Sequence, residues 1–437
     1  MSEPFENIFQ IGEALEQRLA QLEESLDDQV NKVIDISHIG AAFTSTLNLD
    51  LILPMVIETG LKLVRGEVGE VLIFNYNGVP KSVSWGLTTE IVKNINTDNA
   101  ENLIEQVKET GEAIVLNNIE YKASRASDDR AINIQSIIIV PIKSQSDLIG
   151  VISIVNKEMD EEFDSNDKLS LEIIGNFAGV AVKNAELYQE ALARQKLEHE
   201  LQLAEHVQST LMPEKRIEYE KLSAYAYYDV AGQVGGDFYD IIDLGSGRYL
   251  VVVADVSNKG VPAALIMTSV RSYVRVIAEN MASLCELASR VNIHLSRDIE
   301  KLGSMFVTMF FGLIDTNEKK LYSVNAGHPP GVIINKGKFE KLKTGGTFIG
   351  QFPQLTFTQK ESSIEAGDRL IVFTDGIFEC VNSSGEMLGM EKAFNFFKNH
   401  QNASWDEFAL DLRNLMIEYS FDQGRVDDTT LLMIEIK

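Results

Sequence analysis

Residues 249–265 read YLVVVADVSNKGVPAAL. The apolar run ending at Asp255 has the composition of a strand, and the loop VSNKGVP after it opens a helix through PAALIMTSVRSYVRVIAENM. Working outward, the same punctuation recurs. Asp237 stands in VGGDFYDIID after a glycine pair at the start of a strand, and Asp375 ends LIVFTD before Gly376. Asp427 and Asp428 follow Gly424 and immediately precede TTLLMIEI. Further strands are read in SAYAYY, FVTMFFGLID, KLYSVNA and GVIIN, and further helices in SLCELASRVNIHLSRDIEKL and WDEFALDLRNLMIEYS. Many strands with segregated helices predict an α+β sandwich after Pro213.

Each of these acids lies at the rim of an apolar strand beside a glycine or a turn, where a side chain leaves the core while the scaffold holds its base. Grouped carboxylates repel one another unless a cation neutralises them. Oxygen ligands without His or Cys favour Mg2+ or Mn2+ over Zn2+, and the reaction suited to such a pair of ions is in-line attack of water on phosphorus. A single Asp-Gly after a strand is ordinarily a turn. Spacing alone therefore leaves two readings open, four turns or one acidic metal site.

Upstream, Ile11, Leu15, Leu19, Leu22, Leu26, Val30 and Val33 recur at threes and fours, a narrow stripe that predicts an N-terminal helix and a possible coiled coil over residues 1–35. Residues 36–186 change character, with a helix-like Leu51–Leu63, the strand EVLIF, a turn at Asn77-Gly78 and the hairpin pair SIIIVPI and LIGVISIVNK around SQSD. A helix from Asp167 continues without Gly or Pro from Ala185 to Met212, with Leu197, Leu201, Ala204 and Leu211 as a partial seam interrupted by Arg194 and Gln208. Such a segment over 187–213 is expected to act as a stiff helical linker into a final domain, 214–437.

The 437 residues carry 39 Lys and Arg against 65 Asp and Glu, a net charge of −26, which disfavours nucleic acid and anionic membrane as main partners. Cys285 and Cys380 have no CxxC or Cys/His partner, so structural zinc and a disulfide framework lack support. With no secretory leader pattern in MSEPFENIFQ and no apolar run expected to reach bilayer length, a cytoplasmic protein is predicted.

The strings VGGDFYD, VADVSNKGVPAAL, NAGHPPG, VFTDGIFE and DDTTLLMI, in that order, with AEHVQSTLMP before them, resemble the PP2C-type phosphatases of the bacterial SpoIIE/RsbU group over residues 200–437. The resemblance implies an α/β-β/α sandwich and a serine/threonine phosphatase holding two Mn2+ or Mg2+ ions. Asp237, Asp255, Asp375 and Asp427 would form the catalytic cluster, Val256 would offer its backbone carbonyl, and Asp428 is an adjacent metal candidate. It also implies a phosphorylated STAS-type substrate, an anti-sigma-factor antagonist, in a partner-switching pathway. Asn258 departs from the family's glycine at that turn but tolerates left-handed backbone. His328 is expected to shape a loop.

Residues 36–186 resemble a GAF sensor domain in LILPMVIETGLKLV, PIKSQSDLIGVISIVNK and FDSNDKLSLEIIGNFAGVAVKNAELY. Both cysteines lie downstream of it, which excludes a thioether-linked bilin or a cysteine-held iron–sulfur cluster there, and His38 at its edge gives little basis for haem. Asn156, Lys157, Phe163 and Asp167 resemble the NKFDE motif of nucleotide-binding members, with Lys168 in place of the final Glu; such residues also close the fold. The GAF and helical segments are expected to make a homodimer, with an unknown small molecule as a possible GAF ligand. The competing class is a non-catalytic adaptor that binds phosphoprotein without turnover.

Overall fold

Successive side chains of a strand point to opposite faces, and here each face of each main sheet is covered by a different core. The computed structural model describes residues 18, 37–76, 78–86, 102–124, 131–300, 305–335, 337–419 and 427–437. The chain divides into two units, Met1–Lys196 and Leu197–Lys437. The stripe expected over residues 1–35 falls, Arg18 apart, outside the described residues, as does Asn77 of the expected turn.

In the first unit, β1 (Gly66–Tyr76), β2 (Val79–Trp85), β3 (Ile114–Leu116), β6 (Ile137–Ser144) and β7 (Asp147–Lys157) form an antiparallel sheet in the order β2-β1-β7-β6-β3. The short strands β4 (Tyr121–Ser124) and β5 (Ala131–Ile134) pair with each other. One face, including Val140, Ile152 and Ile154, packs on Ile52 and Val56 of α1 (Leu49–Val64) and on Leu171, Ile174 and Ala178 of α3 (Ser165–Leu211). The other face, including Ile137, Ile139, Val151 and Val155, packs on Leu103 and Val107 of α2 (Leu103–Thr110). The expected SQSD hairpin is the β6–β7 turn.

The helix α3 lies so close to β6 that a Cβ on Gly175 would stand 2.7 Å from the Pro141 carbonyl oxygen, and one on Gly179 would collide with that of Lys143. The four residues that resemble NKFDE act within the fold. Asn156 Oδ1 accepts from the Gln135 N–H and its amide donates to the Asn133 carbonyl; Lys157 pairs with Asp167 at 2.7 Å; Phe163 is buried.

The second unit is a sandwich. Its first sheet runs β10 (Phe238–Asp243), β11 (Arg248–Val256), β12 (Val307–Asp315), β13 (Lys320–Ala326), β16 (Gly345–Gly346), with β17 (Lys360–Ser363) also on β13. The second runs β15 (Lys338–Leu342), β14 (Gly331–Asn335), β18 (Arg369–Phe373), β19 (Thr429–Ile436), β9 (Leu222–Asp229), β8 (Arg216–Glu218). Tyr249, Val251 and Val253 of β11 face inward onto Phe310, Val372 and Leu432. Leu250, Val252, Ala254 and Val256 face outward onto α4 (Val261–Ala278) and α5 (Leu284–Ile299). A strand buried on both faces has no polar alternation, which is why this segment reads as a continuous apolar run. On the far side, Ile371, Phe373, Leu431 and Met433 pack under α7 (Met390–Asn399) and α8 (Trp405–Glu418), and the single turn α6 (Gly376–Glu379) follows β18. The expected α+β sandwich is found.

One expectation needs correcting. Among the described residues, α4 is long and apolar enough to cross a bilayer by length and composition. It reads so because Ala263, Met267, Val270 and Val274 form a wide face buried against the first sheet.

Replacing Gly179 by Ala should lower stability by about 1–3 kcal/mol, since backbone rather than a flexible side chain must yield. Urea denaturation of the full chain checks this, and an unchanged midpoint would mean that α3 and β6 separate without cost.

Candidate metal centre

The acids singled out in the sequence meet at one end of the sandwich because the strands bearing them end there. Asp237 precedes β10 and is 1% exposed. Its Oδ2 accepts hydrogen bonds of 2.7 Å from the hydroxyls of both Thr374 and Thr430. Those threonines belong to neighbouring segments of the second sheet and are joined to each other, Thr430 N–H donating to Thr374 Oγ1 and Thr374 N–H to the Thr430 carbonyl, both at 2.9 Å. The carboxylate at the edge of one sheet is thus anchored on the other.

Asp255 lies at the end of β11 opposite Thr308 of β12, and Val256 beside it is buried. The loop beyond is held at its base, Ser257 N–H donating to the Phe306 carbonyl and Phe306 N–H to Ser257 Oγ. Asn258 has φ +72° and Gly260 φ +73°, so the asparagine adopts the left-handed backbone expected where the family prefers glycine. Asp375 follows β18 and caps α6. A Cβ on Gly376 would strike the Asp428 carbonyl oxygen, so glycine is required for the two segments to meet.

Adjacent in sequence, Asp427 and Asp428 are placed differently. Asp428 is buried, and its carboxylate accepts the backbone N–H groups of Ala231 (2.9 Å) and Gly236 (2.7 Å), tying down the loop that delivers Asp237. Asp427 is only partly covered; its Oδ1 accepts the Asp428 N–H and its Oδ2 lies 3.0 Å from Lys259 Nζ. Gln208, near the C-terminal end of α3, reinforces the same loop by exchanging hydrogen bonds with Gly235, Nε2 to carbonyl at 2.7 Å and N–H to Oε1 at 3.0 Å.

The electrostatics are those of crowded, poorly solvated carboxylates. Burial, and then the neighbouring Asp255, holds Asp237 well above the ordinary carboxylate range despite the two threonine hydroxyls. Burial, then Asp375 and Asp427, pushes Asp255 up to about 7. Burial, then Glu379 and Asp427, pushes Asp375 up to about 6. Tyr228, whose hydroxyl is buried without a partner, is also pushed up by burial and by Asp237 and Asp428.

Among the described residues, no three acidic, His or Cys side chains close around a single point. The acids instead lie within electrostatic reach of one another, Asp255 of Asp237, Asp375, Asp427 and Asp428, a looser grouping that suits hard cations taking one or two carboxylates each and keeping waters better than a tetrahedral zinc cage. His328 is outside this grouping. It is buried, its Nδ1 lies 2.9 Å from Thr308 Oγ1, and burial lowers its pKa to about 3, so it is neutral near pH 7. Its N–H donates to Asn325 Oδ1 within the NAGH turn, the loop-shaping role expected of it.

Residues 48–182 match the GAF domain family and residues 245–437 match the family described as Stage II sporulation protein E (SpoIIE). These matches place a GAF domain and a SpoIIE-type domain in those two stretches. Asp255, Asp375, Asp427 and Asp428 lie within the matched SpoIIE stretch, and Asp237 lies just before it. Protein IcfG of Synechocystis is 27% identical over 261 residues, covering 54% of this chain and 41% of IcfG, so the chain spans less than half the length of that relative. Phosphoserine phosphatase RsbU of Bacillus subtilis is 26% identical over 246 residues, covering 56% of this chain and 72% of RsbU. The solved SiaA-PP2C domain of Pseudomonas aeruginosa matches with a TM-score of 0.50 at 20% identity, covering 56% of this chain and all of that domain, which shows the PP2C fold of the SpoIIE-type domain.

Sequence reasoning missed the supports of this site. Thr374 and Thr430 stood inside the quoted motifs without a role, and Gln208 was read as a break in a seam. Asp240, the second acid of GGDFYD, is fully buried and paired with Arg275 of α4 through two hydrogen bonds of 2.7 and 2.8 Å. Arg275→Met leaves that carboxylate buried and unpaired. Because the arginine is itself 44% exposed, the expected cost is about 2 kcal/mol, below that of a fully buried pair. Denaturant titration of the full chain reads it, and a loss within about 0.5 kcal/mol would mean that water replaces the guanidinium.

Proposed function

We propose that this protein is a divalent-cation-dependent phosphatase acting on phosphoserine or phosphothreonine in a protein substrate. The observation that carries the reading is the group of strand-end carboxylates, Asp237, Asp255, Asp375 and Asp427, whose burial and mutual repulsion call for cations. Similarity to RsbU, by name a phosphoserine phosphatase, supports the same chemistry.

In this proposal Asp237, Asp255, Asp375 and Asp427, with the Val256 carbonyl, hold two Mn2+ or Mg2+ ions. When bound, such ions neutralise the cluster, polarise a phosphoryl group and make water a better nucleophile near pH 7. The remaining work belongs to the chain. Thr374 and Thr430 donate to one oxygen of Asp237 and fix its direction beside Asp255. Asp428 and Gln208 hold the 230–236 loop, so Asp428 acts on the site through Asp237 rather than as a main ligand.

The substrate we propose is a phosphorylated STAS-type anti-sigma-factor antagonist, the partner implied by the motif resemblance. Regulation would come from the GAF domain through α3, whose Leu197 and Ala204 are exposed and Leu201 half-buried, as a seam for a second copy of this chain requires. Gln208 lies on that same helix and touches the loop of Asp237.

Two experiments test the reading. With Mn2+ and a phosphorylated STAS protein or a generic phosphate ester, the wild type should release phosphate, and Asp237→Asn or Asp375→Asn should reduce release by about 100-fold or more. Substrate binding without any release would instead support the adaptor. The second experiment uses pH. Asp255 and Asp375 are raised to about 7 and about 6, so without cation their contribution to stability is fully present below about pH 4 and is lost as pH rises through 6–7. Protons and Mn2+ compete for the same oxygens. The rise in melting temperature on adding Mn2+ should therefore be larger at about pH 8 than at about pH 5.5. An equal rise at both would separate cation binding from these carboxylates.

A further inference from the structure

Lys259 stands in the ADVSNKG loop beside the acids without belonging to the carboxylates or their threonine, Asp428 and Gln208 supports. Its Nζ lies 3.0 Å from Asp427 Oδ2, while its side chain keeps 51% exposure, so the ammonium sits at the mouth of the acidic group rather than within the protein. Among the described residues, it is the cation paired with a member of that group. The backbone that carries it is set rather than loose. Asn258 and Gly260 on either side both take positive φ, and Ser257 is bonded in both directions to Phe306. Movement of the ammonium is therefore left to the four-carbon stem, which swings a compact charge with three donors over several ångströms.

Charge dictates what that ammonium is for. Asp237, Asp255, Asp375, Asp427 and Asp428 bring five carboxylates, and two divalent ions leave the set anionic. The substrate phosphate is a dianion that must enter this field from a protein of net charge −26. A cation at the rim, beside the partly covered Asp427 and open to solvent, offsets that repulsion. Once metal neutralises Asp427, the carboxylate competes less for Lys259, and the ammonium can turn to an incoming phosphoryl oxygen. We propose that Lys259 is the phosphate-anchoring residue of this site, held on Asp427 until cation and substrate arrive. The inference rests on the phosphatase reading and adds to it the group that receives the phosphoryl oxygens.

The experiment uses the full chain at saturating Mn2+, with inorganic phosphate as the probe. Phosphate affinity is read from the shift in melting temperature and from competitive inhibition of ester hydrolysis. Mn2+ affinity without phosphate is measured alongside. Lys259→Gln should weaken phosphate binding about tenfold or more, the scale of one charge-assisted hydrogen bond. Its Mn2+ affinity should be equal to or tighter than that of wild type, because Asp427 loses a competitor. Lys259→Arg should recover most of the phosphate affinity. Phosphate binding within twofold of wild type in Lys259→Gln overturns the assignment. So does an equal loss of Mn2+ affinity, which would make the lysine a support of the loop. A wild type that takes up Mn2+ and hydrolyses the ester while Lys259→Gln is unchanged sinks this inference alone, and a wild type that does neither sinks the phosphatase reading with it.

Discussion

Carboxylates gathered in a poorly solvated place repel one another, and the second unit is arranged around that repulsion. Asp237 is almost wholly buried, with Asp255 next to it and Asp375, Asp427 and Asp428 within electrostatic reach of Asp255. Left alone, such a group would take up protons or push its segments apart. What resists is covalent continuity with long, doubly covered strands and a set of hydrogen bonds aimed at individual oxygens. Two threonine hydroxyls from one sheet hold a carboxylate from the other, and Asp428 spends both oxygens on backbone amides of the loop before β10. The packing of the sandwich holds the cluster together against that electrostatic cost, and in the proposed function bound cations relieve it.

The positions of the four acids were legible because strand ends announce themselves. Apolar runs stop, a glycine or polar turn follows, and an acid stands at the junction. The ordered motifs, through the family resemblance, are what imply a metal site rather than a set of turns, a choice that spacing alone left open. The opposite placements of Asp427 and Asp428 were not legible, since neighbouring residues in a turn carry no periodicity to say which one faces the cluster. Thr374 and Thr430 were unreadable for a related reason. Their role depends on a contact across the sandwich, and no local pattern encodes a partner 137 or 193 residues away. The bilayer-length composition of α4 was overlooked in the sequence, and it arises because a helix with a broad buried face has the composition of a membrane span.

In the first unit the hairpin followed from turn chemistry, and the continuation of the long helix past Ala185 from the absence of Gly and Pro, while the approach of α3 to β6 did not. Gly175 and Gly179 look like helix-weakening residues until the carbonyls of Pro141 and Lys143 are found beneath them. The residues resembling a nucleotide motif bond to their own fold, with Lys157 on Asp167 and Asn156 on the backbone of residues 133 and 135. Their hydrogen bonds and ion pair close the fold of the first unit.

The central claim is that the acidic group takes up hard divalent cations through Asp255 and its neighbours. The most direct measurement is a titration of the full chain with Mn2+ at about pH 8, following the free ion by electron paramagnetic resonance. The account predicts uptake of two ions per chain in the wild type and a clear loss of uptake in Asp255→Asn. Absence of uptake by the wild type, or an identical titration for the variant, would contradict it.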